Sequence, residues 1–246
     1  MAINLSNGGP ENAIIYTASN ETNPMTISMW FVANSWYGYL SGGGGTGIPA
    51  GHWGSAQGWI LGGVGTNVAR LYFRHEFSTT QGQWYIASPS LGVLHRLTIT
   101  YDGSATANNP VVYVDGKSVS VVRAQSPSGT QTLASSQAIR IGDLGGGEPL
   151  DGKIQDLCIN YGTILTANQE LSIYNAKSAP ASNGLYTFRD PLLTASTSST
   201  SGSIYPFGGA TLTNGINYTL DMVGGLVGTV SHDPVGASDI VYGTGY

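Results

Sequence analysis

Carboxylates, imidazoles and aromatic rings are the groups in this chain that could carry chemistry, and their spacing decides which chemistry. The 246-residue sequence holds five glutamates, Glu11, Glu21, Glu76, Glu148 and Glu170. None shares alternate positions of one strand with another acid, the arrangement that sets two carboxyls about 5 Å apart for retaining glycoside hydrolysis. The closest pair, Glu148 and Asp151, flanks Pro149 in a glycine-rich stretch. His52, His75, His95 and His232 are scattered, without zinc-ligand spacing. There is no G-x-S-x-G elbow and no H-E-x-x-H. A formal G-x-G-x-x-G from Gly42 to Gly47 runs into "IPAGHWG" and not into a helix start, so no helix N-terminus is expected there to hold a phosphate. No catalytic residues are expected, and the chain is read as a non-enzyme.

Two Asp-Gly pairs, Asp102-Gly103 and Asp115-Gly116, follow runs of aromatic and β-branched residues. Asp and Gly tolerate the positive φ that tight hairpin turns need, so these carboxylates are read as hinges of a sheet. The segment "WYGYLSGGGGTGIPAGHWGSAQGW" sets Trp36, Tyr37, Tyr39, His52, Trp53 and Trp59 around a glycine run. Aromatic rings on loops offer stacking platforms for sugar rings or anchors for protein contacts. These six are the candidate ligand- or partner-binding residues; the alternative is that some of the rings plug the ends of a sandwich.

The elements that would position these groups are strands. "MTISMWFV" alternates Met25, Ile27, Met29 and Phe31 against Thr26, Ser28, Trp30 and Val32, and "HRLTITYD" alternates Leu97, Ile99 and Tyr101 against Arg96, Thr98 and Thr100. "PVVYVDGKSVSVV" reads as a hairpin about Asp115-Gly116, and "AIRIGD" and "KIQDLCINY" add two strands. One helix is expected in "LTANQELSIYNA", opened by a Thr166–Gln169 capping box, with Leu171 and Tyr174 on its apolar face. Period-two patterns between Gly-rich turns indicate an all-β sandwich. Cys158 is alone, so no internal disulfide forms, and it reads as a small buried hydrophobe.

Composition narrows the partners. Charged residues are 9% and the net charge is −5 with nine Lys and Arg, which argues against nucleic acid. No apolar run is long enough to span a membrane. "MAINLSNGGPENAI" has no basic stretch and no apolar core, so no signal peptide is expected.

The order "MTISMWF", "HRLTITYDG", "VVYVDGKSV", "IRIGD", "LDGKIQDLCIN" and "LTANQELSIYNA" resembles the laminin G-like and pentraxin group of concanavalin A-like jelly rolls, over residues 12–176. The resemblance implies two stacked antiparallel sheets and a non-catalytic binding role. In pentraxin-like members acids after the matching "IRIGD" strand bind calcium; here that implies Asp143 and Glu148 as ligands of at most a weak site, since calcium takes six to eight oxygens. No other cofactor is expected.

Residues 1–177 are therefore expected to form a laminin G-like jelly roll, and 178–246 a Ser/Thr/Gly-rich extension with short strands. Two functions are weighed. The leading expectation is a structural and interaction protein of an assembled particle, a bacteriophage virion decoration or accessory protein, in contact with other subunits or with itself as a homo-oligomer. The alternative is a carbohydrate-binding module of an exported protein, with a surface glycan as partner. Both place the chain on a virion or an extracellular surface.

Overall fold

The computed structural model describes residues 2–5, 13–34, 50–64, 70–142 and 150–176, together with the strand segments 202–205, 211–213, 216–220, 227–231 and 240–241. Two antiparallel sheets stack on one another, and one helix lies on the outside of the first.

The first sheet is built on β3 (Met25–Ala33), β8 (His95–Tyr101), β9 (Val111–Val114), β10 (Lys117–Val119) and β13 (Gly152–Tyr161). Its edge is completed by β1 (Ala2–Leu5), β14 (Gly202–Tyr205) and β18 (Ile240–Val241). The order is β10-β9-β8-β3-β13-β1-β18, with β14 paired to β13. The second sheet contains β2 (Ala13–Ser19), β4 (Ala50–Gly54), β5 (Gln57–Val64), β6 (Arg70–His75), β7 (Gly82–Ile86), β11 (Val121–Gln125) and β12 (Gln137–Ile141). It continues through β15 (Thr211–Thr213), β16 (Ile216–Leu220) and β17 (Val227–Ser231) in the order β11-β7-β6-β5-β4-β12-β2-β17-β16-β15. Strands of the C-terminal extension thus pair with the same chain: β14 with β13, β17 with β2 and β18 with β1.

The alternation read in the sequence sets the core. Met25, Ile27, Met29 and Phe31 of β3, Leu97, Ile99 and Tyr101 of β8, and Leu71, Phe73 and Trp84 of the facing sheet fill the space between the layers. The opposite faces of β3 and β8 are buried as well, because α1 (Ala167–Ala176) lies over them. Tyr174 stacks on Trp30 with centroids 5.8 Å apart, and Glu170 reaches through to Arg96 and Thr98. The capping box forms as expected: Thr166 Oγ1 accepts the Gln169 N–H at 3.3 Å, and Gln169 Oε1 accepts the Thr166 N–H at 2.9 Å. The helix face matches expectation in part. Tyr174 turns to the sheet as expected, while Leu171 is 43% exposed and Glu170 and Ile173 take the buried positions beside Tyr174. A buried ion pair therefore sits within the otherwise apolar contact.

Both Asp-Gly pairs are turns. Asp115 and Gly116 take φ of 51° and 73°, the two positive values of a type I′ hairpin turn between β9 and β10. Asp102 caps its own turn: its Oδ1 accepts the Ser104 N–H at 2.9 Å and the Asn23 amide at 2.8 Å. Those bonds, the Ser104 backbone N–H foremost, hold its carboxyl below the usual range. Cys158 is buried, as expected of a small hydrophobe.

Candidate functional site

The candidate aromatic residues do not gather on one loop. Trp36, Tyr37 and Tyr39 lie outside the described residues, as do Asp143 and Glu148. His52 and Trp53 stand on β4 and Trp59 on β5, paired strands in the middle of the second sheet. This corrects the loop assignment, since the glycines around them are accommodated within a ladder.

His52 and Trp59 face inward, each 0% exposed. The Trp59 indole N–H donates to the Tyr161 hydroxyl oxygen at 3.2 Å, and that hydroxyl lies 2.6 Å from His52 Nδ1. His52 Nε2 is 3.1 Å from the Gln137 carbonyl, which can only accept. The proton therefore sits on Nε2, and Nδ1 accepts from Tyr161. The chain of bonds ties β13 of one sheet to β4, β5 and β12 of the other. These two residues have no surface to present to a partner in this conformation, and their bonds account for their polarity.

Trp53 points the other way, onto the outer face of the second sheet, where a second apolar cluster lies. Ile60 and Tyr72 are its centre, with half-buried Trp53 and Tyr85 packed against them. Strand periodicity builds it. In "RLYFRH" Leu71 and Phe73 enter the core, so Arg70, Tyr72 and Arg74 face out. In "GQWYI" Trp84 and Ile86 enter, so Gln83 and Tyr85 face out. Register lines them up: Gly62, Tyr72, Tyr85 and Val122 form one cross-strand row, and Arg140, Gly51, Ile60, Arg74 and Gln83 the next. Tyr72 lies across β5 because position 62 is glycine; a Cβ there would come within 2.8 Å of its ring.

Charge surrounds the rings. The Arg70 guanidinium sits 5.0 Å from the Tyr85 ring centroid. Glu76 accepts the Trp53 indole N–H at 3.1 Å and pairs with Arg74. Ile60, Tyr72 and Glu76 are themselves buried in this face, so what it offers a ligand is the half-buried rings of Trp53 and Tyr85, which suit the apolar side of a sugar, beside the Arg70 and Arg74 guanidinium donors, which suit its hydroxyls. Trp53 alone of this set belonged to the sequence candidates. Tyr72, Tyr85, Arg70 and Arg74 were missed, although their outward alternation was present in the sequence.

No group of three or more His, Cys, Asp or Glu side chains able to hold a metal ion occurs among the described residues. No helix among the described residues is long and apolar enough to cross a membrane.

Residues 7–169 match the family model described as the concanavalin A-like lectin/glucanases superfamily. Among curated proteins none is significantly similar to the sequence. Among solved structures, the chain is similar to a heptameric SAP-like pentraxin from Limulus polyphemus, at 14% identity and a TM-score of 0.52, over 71% of this chain and 81% of that one. It is also similar to a Bacteroides ovatus protein provisionally described as carbohydrate binding, at 15% identity and a TM-score of 0.54, over 93% of this chain and 57% of that one. The binding domain of botulinum neurotoxin serotype G follows at 15% identity and a TM-score of 0.52, over 91% of this chain and 56% of that one. At these identities the likenesses show the fold, and the chain spans little more than half of the latter two proteins.

Proposed function

The chain belongs to the concanavalin A-like lectin/glucanases superfamily, and on that footing we propose that it is a carbohydrate-binding module whose sugar site is the outer face of the second sheet. The observation that carries this reading is the separate cluster of Ile60, Tyr72, Trp53 and Tyr85 on the side of the sheet turned away from the core, with Arg70 held over Tyr85. A sheet face that needed only solvation would carry Ser and Thr there, as the rest of this weakly charged chain does. Rings flanked by guanidinium groups instead meet both halves of a sugar's surface. The structural likeness to proteins of binding function supports the same reading. The bacteriophage particle-protein reading that the sequence put first rests on the polar, cysteine-poor composition and the Ser/Thr/Gly-rich extension. The role places the chain on an extracellular or particle surface, with glycan as its partner.

A glycan array followed by titration tests the proposal. Wild-type protein binds a defined sugar below millimolar concentration. Arg70→Ala and Tyr85→Ala, both at partly open positions, weaken binding at least tenfold while the melting curve stays in place. Absence of binding across the array, or binding that both variants retain, overturns it.

A further inference from the structure

Ser90, His95 and Asp115 form a connected row at the end of the sandwich where the chain passes from β7 to β8. Asp115 is fixed from both sides: it occupies the positive-φ turn of the β9–β10 hairpin, and its Oδ1 accepts the Arg96 backbone N–H at 2.9 Å. Its Oδ2 is 2.7 Å from His95 Nδ1, and His95 Nε2 is 3.0 Å from Ser90 Oγ. The proton order follows from what each group can do. A carboxylate only accepts, so Nδ1 carries the hydrogen; in a neutral imidazole Nε2 is then bare, and the Ser90 hydroxyl donates to it. A hydroxyl donating to a base that a carboxylate orients is the arrangement that activates a serine for attack, and it is recognised by geometry on unrelated folds.

The surroundings fit that use. Ser90 is exposed, while the side chains of His95 and Asp115 are 11% and 30% exposed, so the hydroxyl faces solvent and the base stands behind it. Gly92, at φ 72°, donates its N–H to the Ala33 carbonyl at 2.8 Å and pins the turn beside Ser90 to β3. Leu91 and Val93 on either side of that glycine are 46% and 49% exposed and give the hydroxyl an apolar flank. None of these residues belongs to the proposed sugar site.

We propose that Ser90 is a nucleophile toward esters of short-chain carboxylic acids, with His95 as general base and Asp115 as the residue that positions it. Ser90 Oγ forms a bond to the acyl carbon as its proton passes to His95 Nε2. The bond from that carbon to the alcohol oxygen breaks, and the alcohol leaves with the proton from Nε2. Water then attacks the acyl-serine, giving a proton to Nε2, and the carboxylic acid departs as Ser90 Oγ recovers it. Water is the only co-reactant, and nothing is oxidised or reduced. An apolar flank on an open surface selects a small acyl group, and an activated alcohol or phenol as leaving group.

The full-length protein is treated with a fluorophosphonate probe and with p-nitrophenyl acetate. A single adduct is expected, mapped by mass spectrometry to Ser90, together with ester hydrolysis above the buffer rate. Ser90→Ala abolishes both without moving the melting temperature. Asp115→Asn keeps a residue that tolerates the positive φ but removes the fixed charge; it slows labelling at least about tenfold while the protein stays folded. A merely structural Asp115 would move the melting curve and leave the labelling rate alone. No adduct on Ser90 in folded wild type, hydrolysis that survives Ser90→Ala, or equal labelling of Asp115→Asn overturns the proposal. Glycan binding is read separately, so either proposal can fail without the other.

Discussion

Arg96 and Glu170 show how much one buried side chain can be asked to hold. Both are 0% exposed, and the pair is nearly bidentate: Nε to Oε1 at 2.9 Å and Nη2 to Oε2 at 3.3 Å, with the Thr98 hydroxyl donating to Oε2 at 2.9 Å. The Arg96 guanidinium also lies 5.7 Å from the Trp30 ring, beneath the helix. Glu170→Ala strips the carboxylate from a cation that has no route to water, and such uncompensated charges cost about 3–5 kcal/mol. For a chain of this size that lowers the melting temperature by roughly 10 °C, which a thermal melt measures directly. A joint Arg96→Met and Glu170→Met change removes both charges and recovers most of the loss; if it recovers none, the pair is worth more than its desolvation. Tyr101 presents the opposite case. It sits in the core among Phe73, Trp84 and His75, and its hydroxyl is buried with no hydrogen-bond partner among the described residues. Burial, more than any neighbouring charge, pushes its phenol well above the ordinary tyrosine value. In the unfolded chain Tyr101 ionises near pH 10 while in the folded one it keeps its proton, so stability falls as pH rises past about 10. Tyr101→Phe therefore raises the melting temperature at neutral pH, since an unpaired buried hydroxyl costs on the order of 1 kcal/mol or more. It also flattens the alkaline limb of the stability curve.

Elements here are decided partly by local pattern and partly by what surrounds them. The β9–β10 hairpin is local. Gly116 needs φ 73°, and a Cβ on it would meet Tyr174 Cβ at 2.9 Å. Gly116→Ala is expected to cost about 1–2 kcal/mol through strain at the turn and displacement of the helix, seen as a lower melting temperature and a weaker Trp30–Tyr174 contact in fluorescence. The same local logic made β3, β8, β9, β10, β12 and β13 legible from sequence: apolar residues at alternate positions of β3 and β8 leave a strand one way to face a core, and the Asp115-Gly116 turn marks the β9–β10 hairpin. β4 and β5 were not legible. Gly51, Gly54, Gly58, Gly62 and Gly63 give them the composition of a loop, and their strand geometry comes from β12 and β6, whose ladders flank them on both sides. The site suffered from the same omission. Once 36–59 is taken for a loop and no strand is read in 60–64, the row running from Gly62 through Tyr72 to Tyr85 cannot be assembled, because it exists only across strands. The Ser90–His95–Asp115 row was hidden for a related reason. His95 and Asp115 are 20 positions apart, and that separation closes only when β8 and β9 pair.

At the scale of the whole molecule, the C-terminal extension decides which strand edges are open. β17 hydrogen-bonds to β2 along Ala13–Tyr16, and β14 covers β13 along Leu157–Asn160. β1 pairs with β13 only from Gly152 to Ile154, so without β14 the other half of β13 would present bare N–H and C=O groups beside the core residues Leu157 and Ile159. Unpaired edges of this kind recruit other chains. A chain ending at Lys177 keeps all the residues matched to the family, 7–169, and all the core strands between β2 and α1. It is expected to fold, to melt below the full-length protein, and to associate as concentration rises, through β2 and the open half of β13. Reading 178–246 as an extension appended to a self-contained jelly roll of residues 1–177 predicts the reverse, a truncated sandwich that stays monomeric. Light scattering coupled to size-exclusion chromatography distinguishes them. A truncated chain that is monomeric at every concentration and melts with the full-length protein would mean that the pairings of β14, β17 and β18 contribute nothing to its stability. Pro substituted in turn for Ile15 and for Tyr16, in the truncated chain, removes an edge-facing donor in whichever of the two points away from β12, and that variant should return the protein toward monomer if β2 is the edge that associates.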